Sequence, residues 1–332
     1  MGAIVIVDAF WGDAGKGKFC AFLSKECNAS LAVRAGTGTN AGHSIYINGN
    51  FIKCRMLPLG WINKNTNVLV SSGVTVDPSI FLEEVNKYDL TGRAFVDFRC
   101  PIIEPKHIEA EQLDGKLRDI DSTKSGSGMA RCDFVMRKGK RANDVDTLSS
   151  YIIDGILETN NKALNSTVII EGSQGTFLSL YASDRYPFVT SDNCTTNAFL
   201  DDASLNWKLV ERVILLVKCL PTCVGHGFLP FEMSSDEITN RKLEEYGVNT
   251  GRFKRRSKCI DWDRLNFSVM INGPTEIALT YCDQYDPLIT GIRDKHHISS
   301  NIKQLIDTIQ EKTNLPVSYL ETGKDLNDII IL

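Results

Sequence analysis

A glycine-rich turn, WGDAGKGK at 11–18, contains the first residues of the chain whose types and spacing could bind a ligand. It combines three glycines with two lysines: Gly12, Gly15, Gly17, Lys16 and Lys18. Glycines allow a backbone to turn tightly enough to point several N–H groups at one anion, and lysines at a helix N-terminus add positive charge. The turn therefore predicts a phosphate site.

The same turn departs from the common phosphate-loop pattern at its metal-binding position. Phe19 stands where G-x-x-x-x-G-K-[ST] has the hydroxyl residue that holds Mg²⁺. Asp13, inside the turn, is the nearest candidate for that role. A glycine-rich turn on its own is as typical of a plain tight turn as of nucleotide binding, and an aspartate within it is usually a turn former.

A second glycine-rich loop, RAGTGTNAGHS at 34–44, follows the apolar run at 31–33. It carries Asn40, Gly42 and His43. One histidine by itself is usually a surface or core residue. Two glycine-rich loops in this order are much less common than one, so the pair favours nucleotide chemistry.

The elements that would position these loops are short apolar runs that alternate with helical patterns. Strands are predicted before the first turn and at 31–33, 68–70, 95–98, 168–171, 213–217, 277–280 and 317–320. Helices are predicted after the first turn and at 77–85, 144–158 and about 300–312. This alternation predicts an α/β fold, a single domain over 1–332 with a large, mainly parallel central sheet. Helices would cover both faces, and ligands would bind at the carboxyl ends of the strands.

Composition narrows the classes of function. The net charge of −4 argues against nucleic acid as a partner, because nucleic-acid binders usually have a basic surface. The N-terminal apolar run predicts neither a signal peptide nor a membrane span, so we expect a cytoplasmic protein. Ten cysteines without a C-x-x-C pair are typical of reduced, buried thiols. A zinc site at Cys219, Cys223 and His226 is an alternative that lacks a fourth ligand.

Further stretches of the chain, together with the two loops, resemble the adenylosuccinate synthetase family, whose signatures are a WGDEGKGK loop and an NAGHT loop. They are EGSQGTFLSL at 171–180, YPFVTSDN at 186–193, TGR at 250–252, TYCDQYD at 280–286 and ETGKDLNDIIIL at 321–332. The resemblance covers nearly the whole chain, and it includes a P-loop-like turn after the first strand.

The resemblance implies a ligase. An NTP would phosphorylate the 6-oxygen of a purine nucleoside monophosphate, and the amino group of L-aspartate would displace that phosphate. Such chemistry needs a carboxylate that removes the N1 proton and a donor that stabilises charge as the γ-phosphoryl group leaves. By resemblance, Asp13 is the base and His43 the acid. The implied cofactor, Mg²⁺, would be held by the phosphates, Asp13 and the backbone carbonyl of Gly42.

The resemblance also assigns three sets of binding residues. The NTP set is Gly15, Lys16, Gly17, Lys18, Gly42, His43, Asp283 and Gly323. The purine monophosphate set is Asp13, Asn40, Ser125, Arg137, Gln174 and Thr190. The aspartate set is Val248, Asn249, Thr250, Gly251 and Arg252, and the guanidinium of Arg252 suits carboxylates. Arg137 matches an arginine that reaches the partner subunit's nucleotide, which implies a homodimer. The alternative is a solvated charge beside Lys138 and Lys140.

Five departures from the family pattern bear on the choice of substrates. They are Ala14 for a glutamate, Cys223 for an arginine, Tyr281-Cys282-Asp283 for Lys-Leu-Asp at the guanine donor site, one residue inserted in GRFKRR at 251–256, and a missing Gly-Pro in STKSGSGM at 122–129. The insertion leaves the next functional arginine ambiguous between Lys254 and Arg255.

SDNCTTNAFLDD at 191–202 and the altered basic loop resemble the phage branch of the family, which makes a succinylated 2-aminoadenine deoxynucleotide from dGMP, aspartate and ATP. We therefore expect dGMP as acceptor, because Ala14 would leave room beside Asp13 for the 2-amino group of guanine. Asp283 can accept from guanine N1 and N2 or from the adenine 6-amino group. Because Tyr281 replaces the lysine of the guanine site, we expect ATP or dATP as donor. One alternative is an ordinary adenylosuccinate synthetase that uses IMP and GTP, and another is a non-catalytic nucleotide-binding regulator.

Overall fold

The computed structural model of the chain describes residues 1–247 and 251–332. Its strands are β1 Gly2–Asp8, β2 Leu31–Arg34, β3 His43–Ile47, β4 Asn50–Cys54, β5 Asn67–Val70, β6 Ala94–Asp97, β7 Ile152–Ile153, β8 Thr167–Glu171, β9 Val210–Lys218, β10 Thr222–Cys223, β11 Arg255–Arg256, β12 Glu276–Thr280, β13 Val317–Glu321 and β14 Ile329–Ile331. Its α-helices are α1 Lys16–Glu26, α2 Pro78–Lys87, α3 Pro105–Leu113, α4 Gly115–Asp119, α5 Ser127–Val135, α6 Gly155–Asn165, α7 Thr196–Asp202, α8 Ser235–Asn240, α9 Trp262–Asn272, α10 Cys282–Tyr285 and α11 Ser300–Thr313.

A ten-stranded sheet with the order β14-β13-β12-β9-β1-β8-β2-β5-β6-β7 forms the centre of the fold. Its neighbouring strands run parallel, except that β13 and β14 are antiparallel. Strand β1 lies between β8 and β9, and every residue in it is buried. The loops after β1, β2, β8 and β12 meet at the carboxyl edge of the sheet, where ligands bind in folds of this kind. The predicted mainly parallel sheet is confirmed.

Alternate residues of β1 enter two separate apolar cores, because side chains of a strand point to opposite faces. Ala3, Val5 and Val7 pack in a core with side chains of α6, α7, α9 and α11. Ile4 and Ile6 pack in the other core, with side chains of α1 and α2. Each large apolar side chain buried in this way contributes about 1.5–3 kcal/mol. Helices therefore cover both faces, as the alternating pattern predicts.

The predicted single helix over 144–158 is wrong. The structure has 3₁₀ turns at Asp146–Tyr151, then strand β7, and α6 begins only at Gly155. Two features override the helical spacing: Ile152–Ile153 pairs with the edge of β6, and Asp154 accepts from the backbone N–H of Leu157 at 3.0 Å as an N-cap. The helices predicted after the first turn, from Asp77 and near 300–312 are confirmed as α1, α2 and α11.

Two further expectations concern membranes and zinc. Over 1–247 and 251–332, the chain forms no helix with the length and apolarity that a membrane crossing requires. The same residues contain no cluster of three or more His, Cys, Asp or Glu side chains that could hold a metal ion by themselves. Cys219 lies 3.8 Å, sulfur to sulfur, from Cys282, and His226 is exposed near Asp121. The zinc interpretation has no support.

Candidate active site

The glycine turn connects β1 directly to α1 and takes backbone conformations that favour glycine. Gly12 has φ 91°, and Gly15, the residue before the first helical residue, has φ 84°. Asp13 lies between them with φ 58°, in the left-handed region that non-glycine residues seldom adopt. Gln174 and Tyr281, which follow β8 and β12, share this strained conformation with φ 60° and 55°. Strain of this kind concentrates at functional sites, and these three residues lie at one sheet edge.

Gly17 lies where the first turn of α1 crosses the second glycine loop. A Cβ at this position would be 2.7 Å from Cβ of His43 and 2.8 Å from Cδ1 of Leu59. Because Cβ atoms do not approach other atoms so closely, a side chain would push the helix away from the second loop. The close approach brings the two sequence motifs together at the start of α1.

Both lysines of the turn are buried and paired within the protein. Nζ of Lys16 lies 3.1 Å from Oδ2 of Asp8 and also donates to the backbone carbonyl of Gln174. Nζ of Lys18 lies 3.2 Å from Oε1 of Glu321 and donates to the carbonyl of Gly323 at 2.7 Å. Residues assigned to NTP binding from opposite ends of the sequence thus meet in space.

Asp13, the predicted base and metal ligand, is paired with Lys254. Its Oδ2 lies 2.9 Å from Nζ of Lys254, whose ammonium also lies 2.6 Å from Oε1 of Glu245. Burial by itself raises the pKa of Asp13, but Lys254 outweighs burial and holds that pKa below its usual value. The carboxylate is therefore charged at neutral pH and able to accept a proton or a cation.

The contact with Asp13 also resolves the register of the basic loop. Lys254 is 3% exposed and faces the glycine turn. Arg255 instead donates through Nε to Oε1 of Glu232 at 2.7 Å and through Nη1 to the carbonyl of Gly227 at 2.8 Å. Lys254 is therefore the residue of this loop that contacts Asp13.

His43, the predicted acid, is buried between two charged side chains. Nη1 of Arg34 lies 2.9 Å and 3.0 Å from its two ring nitrogens, and Nδ1 contacts Oε1 of Glu171. Burial lowers the pKa of His43 to about 4, so the imidazole is neutral near pH 7. Burial raises the pKa of Glu171, but contact with His43 and Arg34 outweighs it, and that pKa falls to about 2.

The two predicted catalytic side chains are not in contact with each other. In the described parts of the chain, no hydrogen bond or ion pair joins Asp13 to His43. A neutral imidazole can donate from one nitrogen to Glu171 and accept at the other from Arg34. Because the single N–H of the neutral ring then points at Glu171, His43 must release Glu171 before it can donate to a phosphate.

The loops assigned to the purine monophosphate converge in part. Nδ2 of Asn40 donates to Oγ1 of Thr190 at 3.0 Å, which joins two predicted residues that are far apart in sequence. Ser125 lies next to α5, with its hydroxyl 3.2 Å from that of Ser127. A Cβ at Gly38 would lie 3.4 Å from Oγ of Ser127, so this segment borders the second glycine loop.

The remaining predicted residues lie outside this convergence. Arg137 is exposed just beyond the end of α5, with φ 60°. Asp283 is half-buried in α10, where burial raises its pKa. Gly251 is exposed, Gly42 is half-buried, and the predicted residues Val248, Asn249 and Thr250 lie outside the described residues.

Tyr281 replaces the lysine of the family's base-reading motif and has a new partner. Its backbone N–H donates to Oε2 of Glu321 at 3.1 Å, and its ring centre lies 4.0 Å from Nζ of Lys218. Burial lowers the pKa of Lys218 to about 8. Tyr281 thus has no charge of its own where the motif has a lysine, but it makes a cation–π contact with Lys218 of β9.

The structure does not support the expected space beside Ala14. Ala14 is only 1% exposed and packs in the apolar core that contains α1. Its backbone N–H points back towards Oδ2 of Asp8 at 3.3 Å. The side chain of Ala14 is therefore part of the apolar core, and the substitution by itself does not show space for a 2-amino group.

Several residues of the site were not predicted from the sequence. Arg34 and Glu171 stand inside the quoted motifs RAGTGTNAGHS and EGSQG, so membership of a motif could have identified them. Lys218 and Glu245 lie outside every motif, and only the fold brings them to the glycine turn. Arg185 donates to Sγ of Cys223 at 3.2 Å, and thus supplies a guanidinium where the family has an arginine at 223.

The residues present fit a magnesium ion. Mg²⁺ takes hard oxygen ligands and is usually bound through one or two carboxylates together with phosphate oxygens. The carboxylate of Asp13 is charged, and 35% of its side chain is exposed, so a cation can reach it from solvent. The backbone carbonyl of Gly42 adds a second oxygen of the right type.

Comparison with known proteins gives one consistent family. A model of the family "Adenylosuccinate synthetase" matches residues 5–151 and 142–290. The adenylosuccinate synthetase of Archaeoglobus fulgidus is 40% identical over 334 residues, covering 100% of this chain and 98% of the relative. The fully ligated adenylosuccinate synthetase of Plasmodium falciparum superposes with a TM-score of 0.92 at 21% identity, covering 100% of both chains.

A second solved structure has the same fold at a similar distance in sequence. The cyanophage S-2L succinoaminodeoxyadenylate synthetase, PurZ, which was solved with dGMP and dATP, has a TM-score of 0.82 and 21% identity. It covers 99% of this chain and 95% of its own. At this identity the likeness shows the fold alone, whereas the family model and the archaeal relative span nearly the whole chain. The chain therefore belongs to the adenylosuccinate synthetase family, the NTP-dependent ligases that form a C–N bond.

Proposed function

We propose that the protein joins L-aspartate to C6 of IMP at the expense of an NTP, through a 6-phosphoryl intermediate, as a single domain over 1–332. The observation that carries this proposal is the position of Asp13. A charged carboxylate stands inside a phosphate-binding turn and is paired with Lys254 of the basic loop. A base for the purine N1 is thereby next to both the phosphate turn and the loop assigned to aspartate.

The chain's own residues account for each step. Asp13 accepts the N1 proton, which makes O6 nucleophilic, and O6 attacks the γ-phosphorus while the bond to the bridging oxygen breaks. His43 donates a hydrogen bond to that oxygen as a neutral imidazole, which remains an effective donor without carrying charge. The amino group of aspartate then attacks C6 and phosphate leaves. Mg²⁺, when bound at Asp13 and Gly42, supplies charge neutralisation of the phosphates.

Binding is divided between the loops of the sheet edge. Asn40, Thr190, Gln174 and Ser125 hold the monophosphate, and Arg252 holds the carboxylates of aspartate. The main-chain N–H groups of Gly15 and Gly17, with Lys16 and Lys18, hold the NTP phosphates. Asp283 and Gly323 border the donor base. Arg137, exposed beyond α5, would reach the nucleotide of a partner subunit in a homodimer.

IMP is the better supported acceptor, because the archaeal relative that aligns over the whole chain is an adenylosuccinate synthetase. dGMP is the second candidate. The observation that favours it is the resemblance of SDNCTTNAFLDD at 191–202 and of the altered basic loop to the phage branch. Ala14 adds no support, because its side chain is buried in the apolar core. Tyr281 in place of the lysine of the guanine site favours ATP or dATP over GTP as donor.

The test is release of inorganic phosphate in the presence of Mg²⁺ and L-aspartate, with IMP and dGMP compared as acceptors and ATP, dATP and GTP as donors. We expect phosphate release that requires both aspartate and IMP, and a product mass equal to that of adenylosuccinate. Faster turnover of dGMP would replace IMP with dGMP in this proposal. NTP hydrolysis that is independent of aspartate and of the monophosphate would refute the ligase and favour a regulator.

A further inference from the structure

Arg252 is capped by residues of the chain itself. Its guanidinium donates through Nη1 to the backbone carbonyl of Asp121 and through Nη2 to that of Ser122 at 3.3 Å. Nη1 also lies 3.7 Å from Oδ1 of Asp121. The side chain of Asp121 thus presents to Arg252 the chemical group that an aspartate substrate would present.

Asp121 is held in this position from more than one side. Its other carboxylate oxygen, Oδ2, lies 3.4 Å from Nε2 of His226. Its Cβ lies 3.5 Å from the position that a Cβ of Gly225 would take, so the turn at 224–227 packs close to it. Its backbone has φ 60°, a left-handed conformation that aspartate adopts more readily than most non-glycine residues. The carboxylate thus contacts Arg252 through one oxygen and His226 through the other.

We infer that Asp121 is an internal competitor for Arg252: its carboxylate occupies the guanidinium until an acidic substrate replaces it. The inference rests on the proposed function, which takes Arg252 as the residue that binds the substrate's carboxylates. Replacement conserves charge, because one carboxylate leaves as another arrives. An amino acid with an uncharged side chain has only its α-carboxylate and no second carboxylate to replace that of Asp121, so the exchange favours dicarboxylic substrates.

The strength of the contact is suited to exchange. Both side chains are 34% exposed, so water competes for their charges. An exposed ion pair of this kind favours the arrangement in which Asp121 contacts Arg252 only about 1.4- to 5-fold over the separated side chains. The apparent affinity of a ligand falls by the fraction of molecules in the competent state, so removal of the competing carboxylate should lower the KM for aspartate about two- to six-fold.

The experiment compares Asp121→Asn with the wild-type chain in the phosphate-release assay, with L-aspartate varied at saturating IMP and NTP. Asparagine keeps the shape of the side chain and tolerates a positive φ. The matched control is Asp119→Asn, two residues away, whose side chain is 75% exposed. We expect a two- to six-fold lower KM for aspartate at unchanged kcat in D121N, and no change in D119N. Asp121→Gly, which suits the backbone conformation, is the second variant should D121N fold poorly.

The direction of the KM change decides the outcome. A residue that only orients Arg252 would raise the KM when removed, so an unchanged or higher KM in D121N overturns the inference while the proposed function stands. If the wild-type chain shows no aspartate-dependent phosphate release, the proposed function itself fails. Calorimetric titration of succinate, in the presence of IMP and Mg²⁺, then decides the inference: tighter binding by D121N supports it, and any other result overturns it.

Discussion

Replacing Glu245 with Gln should destabilise the protein markedly, because this one carboxylate contacts three buried cations, one of which is paired with Asp13. Its oxygens lie 3.0 Å from Nζ of Lys218, 2.6 Å from Nζ of Lys254 and 2.8 Å from Nη2 of Arg256. These cations are 1%, 3% and 0% exposed, and 17% of the Glu245 side chain is exposed. The substitution removes the negative charge and leaves the volume almost unchanged.

The size of the effect follows from burial. Removing one partner of a buried ion pair costs about 3–5 kcal/mol, since the remaining charge is left without compensation. For a chain of 332 residues the entropy of unfolding is about 0.7 kcal/mol/K, taken from the usual value per residue. The melting temperature of E245Q should therefore fall by about 4–7 °C. Loss of the proton from Lys218, whose pKa is about 8, would place the result at the lower end.

The assay is thermal unfolding at pH 7, with Glu244→Gln as control because Glu244 is the exposed neighbour. Burial raises the pKa of Glu245, but the three cations outweigh it and hold that pKa well below 4.5. A carboxylate with a depressed pKa stabilises the folded state above about pH 4.5 and loses this effect as the pH falls further. The difference between E245Q and wild type should shrink below that pH. A melting temperature equal to that of E244Q at pH 7 would refute this account of the cluster.

Two further predictions concern Asp13 and His43, the proposed catalytic side chains. Asp13→Asn should lower turnover by about 10²–10⁴-fold and leave binding of the monophosphate largely intact, because the amide cannot accept the N1 proton; near-normal turnover would exclude Asp13 as the base. The unfolded chain binds a proton at His43 near pH 6.5 and the folded chain only near pH 4, so about 3 kcal/mol of stability should be lost as the pH falls between these values. Urea unfolding of His43→Asn should lack this loss, and an identical pH dependence in both proteins would contradict the neutral, buried histidine.

The parts of the fold that the sequence predicts are those set by local rules. The glycine turn, α1 and the capped start of α2 depend on residues next to each other in the chain, and the structure has them where the pattern places them. The mainly parallel sheet follows from apolar runs long enough to be buried on both faces. The helix predicted over 144–158 is wrong because Ile152–Ile153 pairs with β6, and the local spacing of apolar residues cannot show such a tertiary contact.

The site is predictable only where its residues belong to motifs. Asp13, His43 and Asn40 are recognisable by the loops around them. Glu245 forms ion pairs with Lys218 and Lys254, and no sequence pattern links it to either lysine. The choice between Lys254 and Arg255 needed coordinates, because adjacent residues in an extended segment point in opposite directions. Whether Ala14 faces a ligand depends on the direction of its side chain, which the sequence does not show. In the structure the side chain packs in the apolar core.

The cations of this site are paired internally, and this determines what a ligand has to do. Lys18 lies on Glu321, Lys254 on Asp13, and Arg252 on Asp121. Each cation must give up part of an existing contact when a phosphate or carboxylate binds. The binding free energy is therefore the difference between the new ion pair and the internal pair that it replaces. Binding energy is correspondingly modest for any single group, and only a ligand set that replaces several internal carboxylates together is favoured. Under the proposed function, this charge pattern favours binding of the NTP and of aspartate together, as expected of a ligase that does not hydrolyse its NTP alone.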